Sequence, residues 1–256
     1  MNTTHEHDWR SVLVGRILLC IAVFGLWQWA AVNEVIKPVL IGKPTEMGQY
    51  LWTELFVTGS LWLDLKWTVI GVASSFVIGA LSGILVGLLF ATQPFVEKLL
   101  DPFVTALNAM PRIALAPLFI IWFGLGVGSK IALGVSLTFF VVLAATTAGV
   151  RSVNPDHLTL ARTLGASGLQ VFRNFVLPNA VPVVFSGLRL GLVVSLLGVV
   201  GGEVIAAEHG LGQTLTVMAA SFRTSAVFAL IILLALIGVA VTHVMDAIES
   251  HLLRWR

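Results

Sequence analysis

The sequence is poor in charged residues, and this shortage indicates its class. Only 11% of the 256 residues are charged, whereas 57% are hydrophobic. Because about 25% of the residues of a typical soluble domain are charged, this composition indicates a membrane protein. The formal net charge of +2 is small and the basic residues are scattered, which argues against nucleic acid as a partner.

Cysteine and catalytic motifs are equally scarce. The single cysteine, Cys20, excludes a disulfide framework and a cysteine-based metal site, and the histidines are too dispersed to predict a metal site. Gly42 and Lys43 are followed by proline, without the earlier glycine of a Walker A loop, and H-E-x-x-H and G-x-S-x-G motifs are missing. We therefore predict no catalytic residues, no metal and no cofactor in this chain, and no enzymatic activity.

Acidic residues are nearly absent from the apolar stretches of the sequence. A proton-driven carrier needs Asp or Glu relays within the membrane, so the shortage argues against an ion-coupled secondary carrier, which is kept as an alternative. The energy for any transport is expected to come from another protein.

Six long apolar blocks are present instead. A hydrocarbon core of about 30 Å needs about 20 residues per helix, and each block comes close to that length. We predict an all-α membrane protein, a single domain over residues 1–256, with the first block retained as an anchor. The predicted spans are residues 11–32, 67–91, 103–124, 131–150, 180–200 and 226–244.

The distribution of Lys and Arg predicts the orientation of these spans. With the N-terminus in the cytoplasm, nine of the 15 basic residues fall on the inside and five, Lys130 among them, on the outside. Because short cytoplasmic loops are enriched in Lys and Arg, this arrangement is favoured. Both termini and the polar segment at residues 154–178 are then cytoplasmic.

The second block carries a small residue at every fourth position. Such a stripe lies along one side of a helix and lets another helix approach closely, so it predicts helix packing. Its members are Gly71, Ser75, Gly79, Gly83 and Gly87.

The third block is irregular, because Pro111, Arg112 and Pro117 fall inside it. These prolines predict a kink or break near its middle. An arginine at this depth must face a cavity, a partner or water. Two interpretations of Arg112 stay open, a structural role at the break and a role in the solute path.

The segment at residues 154–178 is a polar interruption that predicts two short helices. Asn154 is suited to cap a helix that begins at Pro155, and Gly165 to end it in a left-handed conformation. Ser167 and Gln170 have the spacing of a capping box for the second helix. On a helical wheel one side of the first helix carries Leu158, Leu160, Ala161 and Leu164. Pro178 is expected to end or bend the second helix.

Three stretches resemble one protein family. ARTLGASGLQVFRNFVLP is similar to the "EAA" cytoplasmic loop of bacterial ABC-transporter permeases, with matches at Ala161, Gly165, Leu177 and Pro178. Thr159 and Leu160 depart from the family's acid and first alanine. MPRIALAPLFIIWFGLGVGSKI and GGEVIAAEHGLGQTL resemble the third-span and post-fifth-span segments of nitrate/sulfonate/taurine-type importer permeases.

The resemblance implies a type I ABC importer permease in the bacterial inner membrane. It implies a homodimer, a solute-binding protein, and two ATPase subunits that bind ATP and Mg. The segment at residues 154–178, the coupling segment, would contact the ATPase through Thr159, Leu160, Ala161, Arg162, Leu164, Gly165, Ala166, Ser167, Leu177 and Pro178.

The solute is less well specified by the sequence. The resemblance implies a small anion, such as a sulfonate, nitrate or an aromatic carboxylate, with an uncharged vitamin precursor as the alternative. Asn108 and Arg112 are candidates for attracting an anion in the third span. Glu203 is expected at the external mouth or in a pair with an arginine.

Overall fold

The structure is a computed structural model that describes residues 9–252. Within that range every regular element is a helix, which confirms the all-α class. The helices are α1 (Trp9–Val32), α2 (Pro38–Ile41), α3 (Pro44–Trp52), α4 (Leu61–Thr92), α5 (Pro94–Ala109), α6 (Ala116–Phe123), α7 (Val127–Arg151), α8 (Pro155–Thr163), α9 (Gly168–Val171), α10 (Leu177–Ile205), α11 (Leu211–Ala220) and α12 (Thr224–Leu252). Two π-helical turns, Thr53–Val57 and Phe172–Val176, and one 3-10 turn, Arg112–Leu115, extend them.

Five stretches of the described residues are long and apolar enough to cross a bilayer, and a bent pair makes a sixth. The five are Ser11–Val32, Leu61–Thr92, Val127–Arg151, Gly168–Ile205 and Thr224–His251. The number confirms the prediction of about six spans. Several helices begin earlier than the predicted spans, since polar residues such as Asp64 and Lys66 lie inside α4.

The bent pair of helices corresponds to the third predicted span, and it is broken where the sequence predicts irregularity. Helix α5 and the run Arg112–Phe123, which ends in α6, meet at an angle of 86°. Met110 and Pro111 between them are extended, with ψ of 137° and 95°. Pro117 lies in the first turn of α6, where its missing N–H removes no helical hydrogen bond. The break therefore falls at Pro111, and the helix before it begins at Pro94.

The described residues form two compact units. The first consists of residues 9–61 with Leu215–Leu233. In it the Ser225 hydroxyl joins the chain before α3 to the start of α12, because it accepts a hydrogen bond from the Lys43 N–H (3.1 Å) and donates to Glu46 (2.7 Å). The Ser225 hydroxyl, with Lys43, lowers the pKa of the Glu46 carboxyl. A side chain at Gly42 would meet the Ser225 Cα at 2.8 Å.

The second unit consists of Trp62–Thr214 with residues 234–252. Its apolar core is formed by buried side chains of α4, α10 and α12: Val72, Leu192, Leu196, Val199 and Met245. Helices α7 and α10 also pack closely, because the Thr138 hydroxyl donates to the Gly191 carbonyl (3.2 Å). The prediction of one permease domain over residues 1–256 stays a prediction.

Candidate functional site

The coupling segment contains the local signals that its sequence predicts. The Asn154 side chain accepts a hydrogen bond from the Asp156 N–H (2.9 Å) at the start of α8. Gly165 has a φ of +82°, the left-handed conformation that glycine adopts without steric cost. Ser167 and Gln170 form both bonds of a capping box, at 2.7 and 3.3 Å. The predicted caps and the glycine turn are thus confirmed.

The apolar faces of α8 differ from the helical-wheel prediction. Ala161 is buried at 4% exposure, and Leu158 is half-buried beside it. Leu160 and Leu164, four positions apart, are 59% and 78% exposed. The chain itself thus covers only the part of the predicted apolar side that carries Leu158 and Ala161.

The exposed leucines continue beyond Gly165. Leu169 in α9 is 75% exposed, so it joins Leu160 and Leu164 in a set of three exposed apolar side chains on the two short helices, here called the leucine set. Helix α8 is not among the segments apolar enough to span a bilayer, and α9 is the first turn of the candidate span Gly168–Ile205. Exposed leucines on such short polar helices are typical of a surface that a partner protein covers.

The other residues predicted to contact the ATPase differ in their exposure and bonds. Thr159 is exposed, and its hydroxyl donates to the Pro155 carbonyl of its own helix (3.0 Å). Ala166 donates its N–H to the Ala161 carbonyl (3.0 Å), which closes the turn at Gly165. Leu177 is 44% exposed. Arg162 belongs to α8, but its side chain lies outside what the structure describes.

The second short helix does not end at Pro178. Helix α9 widens into the π-helical turn Phe172–Val176, and the helical run then continues through Pro178 to Ile205. A π-helical turn shifts the backbone hydrogen bonds by one residue, which accommodates the missing N–H of a proline that follows it. The coupling segment is therefore joined to α10 without a break.

The small residues of α4 face neighbouring helices at short distances. A side chain at Gly79 would lie 2.7 Å from the Thr138 Cβ, and one at Gly83 would lie 2.8 Å from the Phe139 carbonyl oxygen. Gly87 faces the Thr146 Cβ at 2.7 Å in the same way. These three glycines lie against α7.

The remaining small residues of α4 lie against α10. Gly71 faces a methyl group of Val199 at 2.9 Å. The Ser75 hydroxyl contacts the Ser195 hydroxyl at 2.6 Å. Ser195 also donates to the Val72 carbonyl (3.0 Å), so this pair of buried hydroxyls is satisfied between the two helices.

Arg112 and Asn108 come together across the broken span. The Arg112 guanidinium donates to the side chain and to the backbone carbonyl of Asn108. Its Cζ lies 4.4 Å from the ring centroid of Phe140 in α7, a distance typical of a cation–π contact. Arg112 is partly buried and Asn108 exposed, so the pair both closes the break and keeps a charge near the surface.

Glu203, the third residue predicted in the solute path, has different surroundings. It is 3% exposed and pairs with no arginine among the ion pairs of residues 9–252. Its carboxylate accepts hydrogen bonds from the Thr68 hydroxyl (2.8 Å) and the Gly212 N–H (2.9 Å). The expected pair with an arginine is therefore replaced by bonds to α4 and to the start of α11.

Three consecutive N–H groups at the start of α11 are held by side chains. Asp64 accepts from the Gly210 N–H (3.0 Å), Thr68 from the Leu211 N–H (2.9 Å) and Glu203 from the Gly212 N–H. The first N–H groups of a helix have no partner within the helix and favour a negative charge nearby. Two carboxylates and a hydroxyl therefore fix this turn. A side chain at Gly210 would collide with the Glu203 carboxylate.

A cavity of about 110 Å³ lies beside Glu203. It is lined by residues 125–127 together with Trp67, Lys130, Glu203, Glu208 and His209. Lys130 is 4% exposed and donates to the carbonyls of Leu125 and Gly126, to the latter at 2.7 Å. Phe140, the contact of Arg112, is roughly 15 Å farther along α7 than Lys130, at about 1.5 Å per residue. The predicted solute-path residues thus separate into two places.

Lys130 is the functional candidate that sequence reasoning misses. The charge pattern assigns it to an external loop, whereas the structure buries it in the first turn of α7. One signal was available: an isolated lysine at the edge of an apolar run must find oxygen partners if it is buried. The residues that line the cavity with it are far apart in sequence, so spacing gives no indication of the cluster.

Comparison with known proteins agrees with this architecture. Residues 79–254 match the family model "Binding-protein-dependent transport system inner membrane component". The taurine transport system permease protein TauC of Escherichia coli (strain K12) is 31% identical, over 96% of this chain and 93% of TauC. The formylaminopyrimidine transport permease protein ThiX of Halalkalibacterium halodurans is 36% identical, over 90% of this chain and 91% of ThiX.

A solved structure shares the fold. A chain of the MetNI methionine ABC transporter, in an inward-facing conformation, superposes with a TM-score of 0.64 and 18% identity, over 75% of this chain and 97% of the other. At that identity the likeness concerns the fold alone. The family model covers more than half of the sequence, and the shared type I permease fold agrees with it. The chain therefore belongs to the family of binding-protein-dependent transport system inner membrane components, the permeases of ABC importers.

Proposed function

We propose that this chain is the membrane-spanning subunit of an ATP-driven importer that receives a small solute from a separate solute-binding protein. Two copies pair in the bacterial inner membrane with both termini in the cytoplasm, and two ATPase subunits bind ATP and Mg and contact the coupling segments. The leucine set is the observation that carries this proposal, because Leu160 and Leu164 are apolar and exposed between two candidate spans and Leu169 is exposed in the first turn of the next one.

The leucine set is expected to fill a groove of the ATPase. Burial of one leucine side chain contributes about 1.5–3 kcal/mol to the free energy of binding. A carboxylate in its place would lose this contribution and would also lose its hydration in the groove. ATP-driven movement of the ATPases would then pull on α8 and α9, and the uninterrupted run into α10 carries the movement to the spans.

The test is co-purification of the ATPase with variants of the leucine set. We expect Leu164→Glu to weaken the complex by at least about ten-fold, which corresponds to about 1.4 kcal/mol. His157→Glu is the matched control, because it places the same charge on an exposed position of α8 that is not among the residues predicted to contact the ATPase. If the permease with Leu164→Glu still co-purifies with the ATPase and still shows ATP-dependent uptake, the proposal is wrong.

Ala161 is a poorer probe of ATPase contact than its match to the family suggests. Because it is 4% exposed within the chain itself, Ala161→Glu would bury a carboxylate and disturb α8 directly. Loss of the ATPase in that variant would not separate a contact from a folding defect. Leu160, Leu164 and Leu169 avoid this ambiguity.

For the solute we propose a small molecule with an acidic group, attracted in part by Arg112. The cation–π contact with Phe140 and the bonds to Asn108 hold the guanidinium at the break between α5 and α6. Arg112→Gln is expected to lower uptake while the ATPase still co-purifies. Normal uptake would favour the structural role, and the name of ThiX then supports an uncharged vitamin precursor instead.

A further inference from the structure

An apolar groove lies where the coupling segment joins the spans. The π-helical turn Phe172–Val176 and α10 form one wall of this groove, and the ends of α4 and α7 form the other. Its lining includes Ile84, Leu88, Val150, Phe172, Val176 and Leu188. Thr146 carries the one polar side chain of the lining among the residues that the structure describes, and its hydroxyl oxygen is buried. The groove therefore suits a hydrocarbon and offers no side-chain partner to a polar molecule.

The groove is open along its length. Leu177 is 44% exposed, and Val181, Val184 and Leu188 are half-buried along the same side of α10. From Leu177 to Leu188 the helix rises about 17 Å, at about 1.5 Å per residue. Because the hydrocarbon core of a bilayer is about 30 Å thick, this length is close to the thickness of one leaflet.

The groove lies at one end of three candidate spans, the end that the proposed function places at the cytoplasm. Leu88 lies four residues before the end of α4 at Thr92, and Val150 lies next to the last residue of α7. The third span contains the π-helical turn and α10. An open apolar groove at this depth faces the acyl chains of the cytoplasmic leaflet.

A cation lies at the cytoplasmic end of the groove. Arg173 belongs to the π-helical turn, four positions before Leu177, and therefore lies on about the same side of the helical run. Its side chain is exposed and occurs in none of the ion pairs of residues 9–252, whereas Arg151 at the end of α7 pairs with Glu97. Basic residues at the cytoplasmic ends of spans attract anionic headgroups, so Arg173 is left for such a group.

The volume fits a part of one acyl chain. The groove encloses about 210 Å³, and a cavity of about 150 Å³ holds benzene, so the space suits about eight carbon atoms. We propose that the groove binds an anionic phospholipid of the cytoplasmic leaflet, with a segment of one acyl chain along α10 and the headgroup beside Arg173. The inference rests on the proposed function, which orients the chain, and it adds a lipid that holds the π-helical turn against α4 and α7.

The experiment compares two lipids that have the same acyl chains and different headgroup charges. The purified permease–ATPase complex is delipidated in detergent, and dioleoyl-phosphatidylglycerol or dioleoyl-phosphatidylcholine is added back while native mass spectrometry counts the bound lipids. We expect the tightest site to prefer phosphatidylglycerol at least about five-fold, as for one basic residue near an anionic headgroup. Equal binding of the two lipids at that site would overturn the inference.

Arg173→Gln tests the headgroup end of the site. We expect this variant to reduce the preference for phosphatidylglycerol at least about three-fold while the binding of phosphatidylcholine is unchanged. Lys98→Gln is the matched control, because it removes one positive charge from an exposed position of α5 outside the lining. An equal change in the two variants, or an unchanged preference in Arg173→Gln, would contradict the assignment of the headgroup.

Val184→Phe tests the acyl-chain end, because the larger side chain fills the groove from α10. We expect it to weaken the binding of both lipids at least about three-fold, as for the loss of one or two buried methylene contacts. Val239→Phe, at a 53% exposed position of α12, is the control and should bind both lipids normally. If Val184→Phe does not assemble, Val181→Phe fills the same groove about one turn earlier.

The same spectra distinguish the other possible occupant and the failure of the proposed function. Unchanged lipid binding in Val184→Phe together with loss of the second permease copy would show that the groove is a surface between two copies, and the inference would be wrong. Absence of the ATPase from the unmodified complex would contradict the importer assignment, whatever lipid is bound. An assembled complex that binds both lipids equally would contradict only the lipid site.

Discussion

Close contact between α4 and α7 at Gly83 gives the sharpest prediction about the fold. A Cβ added at Gly83 would lie 2.8 Å from the Phe139 carbonyl oxygen, 3.0 Å from the Val142 Cβ and 3.1 Å from the Leu143 N. Two of these atoms belong to the backbone of α7, so no side-chain rotation relieves the overlap. Gly83→Ala therefore requires the two helices to separate.

The magnitude follows from a comparison with a glycine in open space. Overpacking of a close contact costs about 1–3 kcal/mol. Gly25 in α1 has no atom within 4 Å of an added Cβ, so Gly25→Ala has the same change in helix propensity without the overlap. The difference between the two variants isolates the helix contact.

The assay is thermal unfolding of the purified permease in detergent. About 1 kcal/mol corresponds to about 2–4 °C in a chain of this size, so we expect Gly83→Ala to unfold about 2–12 °C below Gly25→Ala. Equal unfolding temperatures for the two alanine variants would refute the close packing of α4 against α7 at Gly83.

Three further predictions follow from single contacts. Thr68→Val removes the acceptor of the buried Leu211 N–H, so it should lower the free energy of unfolding by about 1–3 kcal/mol. Thr242→Val is the control, because it loses only bonds within its own helix. Equal unfolding temperatures for the two variants would contradict this prediction. Arg189→Met breaks the ion pairs with Asp246 and Glu249 but should cost no more than about 1 kcal/mol in unfolding experiments, because the Arg189 side chain is 44% exposed; a larger loss would show that these pairs are poorly screened. The lowered pKa of Glu46 means that its contact with Ser225 stabilises the fold above the ordinary carboxyl pKa and is lost as the pH falls through the lowered value. The protection of the amides of residues 38–47 against exchange, taken relative to the intrinsic exchange rate at each pH, should therefore fall on acidification in the unmodified protein and change less in Ser225→Ala. An equal fall in both proteins would contradict this.

Local chemistry is what the sequence predicts best in this protein. The cap at Asn154, the left-handed Gly165 and the capping box of Ser167 depend on neighbours within three residues, and all three occur. Block length and composition were sufficient for the number of spans. The break at Pro111 also follows from one residue's missing N–H.

Properties that depend on residues far apart in the sequence were harder to predict from the sequence. The faces of α8 could not be assigned from its own nine residues, because whether Leu158 or Leu160 is covered depends on what packs against the helix. The bond between Thr68 and Glu203 joins residues 135 positions apart. No periodic pattern links such residues, so the cavity that Lys130 and Glu203 share emerges only from the folded chain.

Helix α10 joins the coupling segment to the buried carboxylate of Glu203. The coupling segment runs into it at Leu177, and Glu203 lies near its other end, about 39 Å away at about 1.5 Å per residue. The helix is unbroken between them, and its small residues Gly187, Gly191 and Gly198 hold it closely against α7. A displacement of the leucine set by the ATPase would therefore move Glu203 together with the start of α10 at Leu177. Because Glu203 accepts the Gly212 N–H at the start of α11, such a displacement would also move that turn.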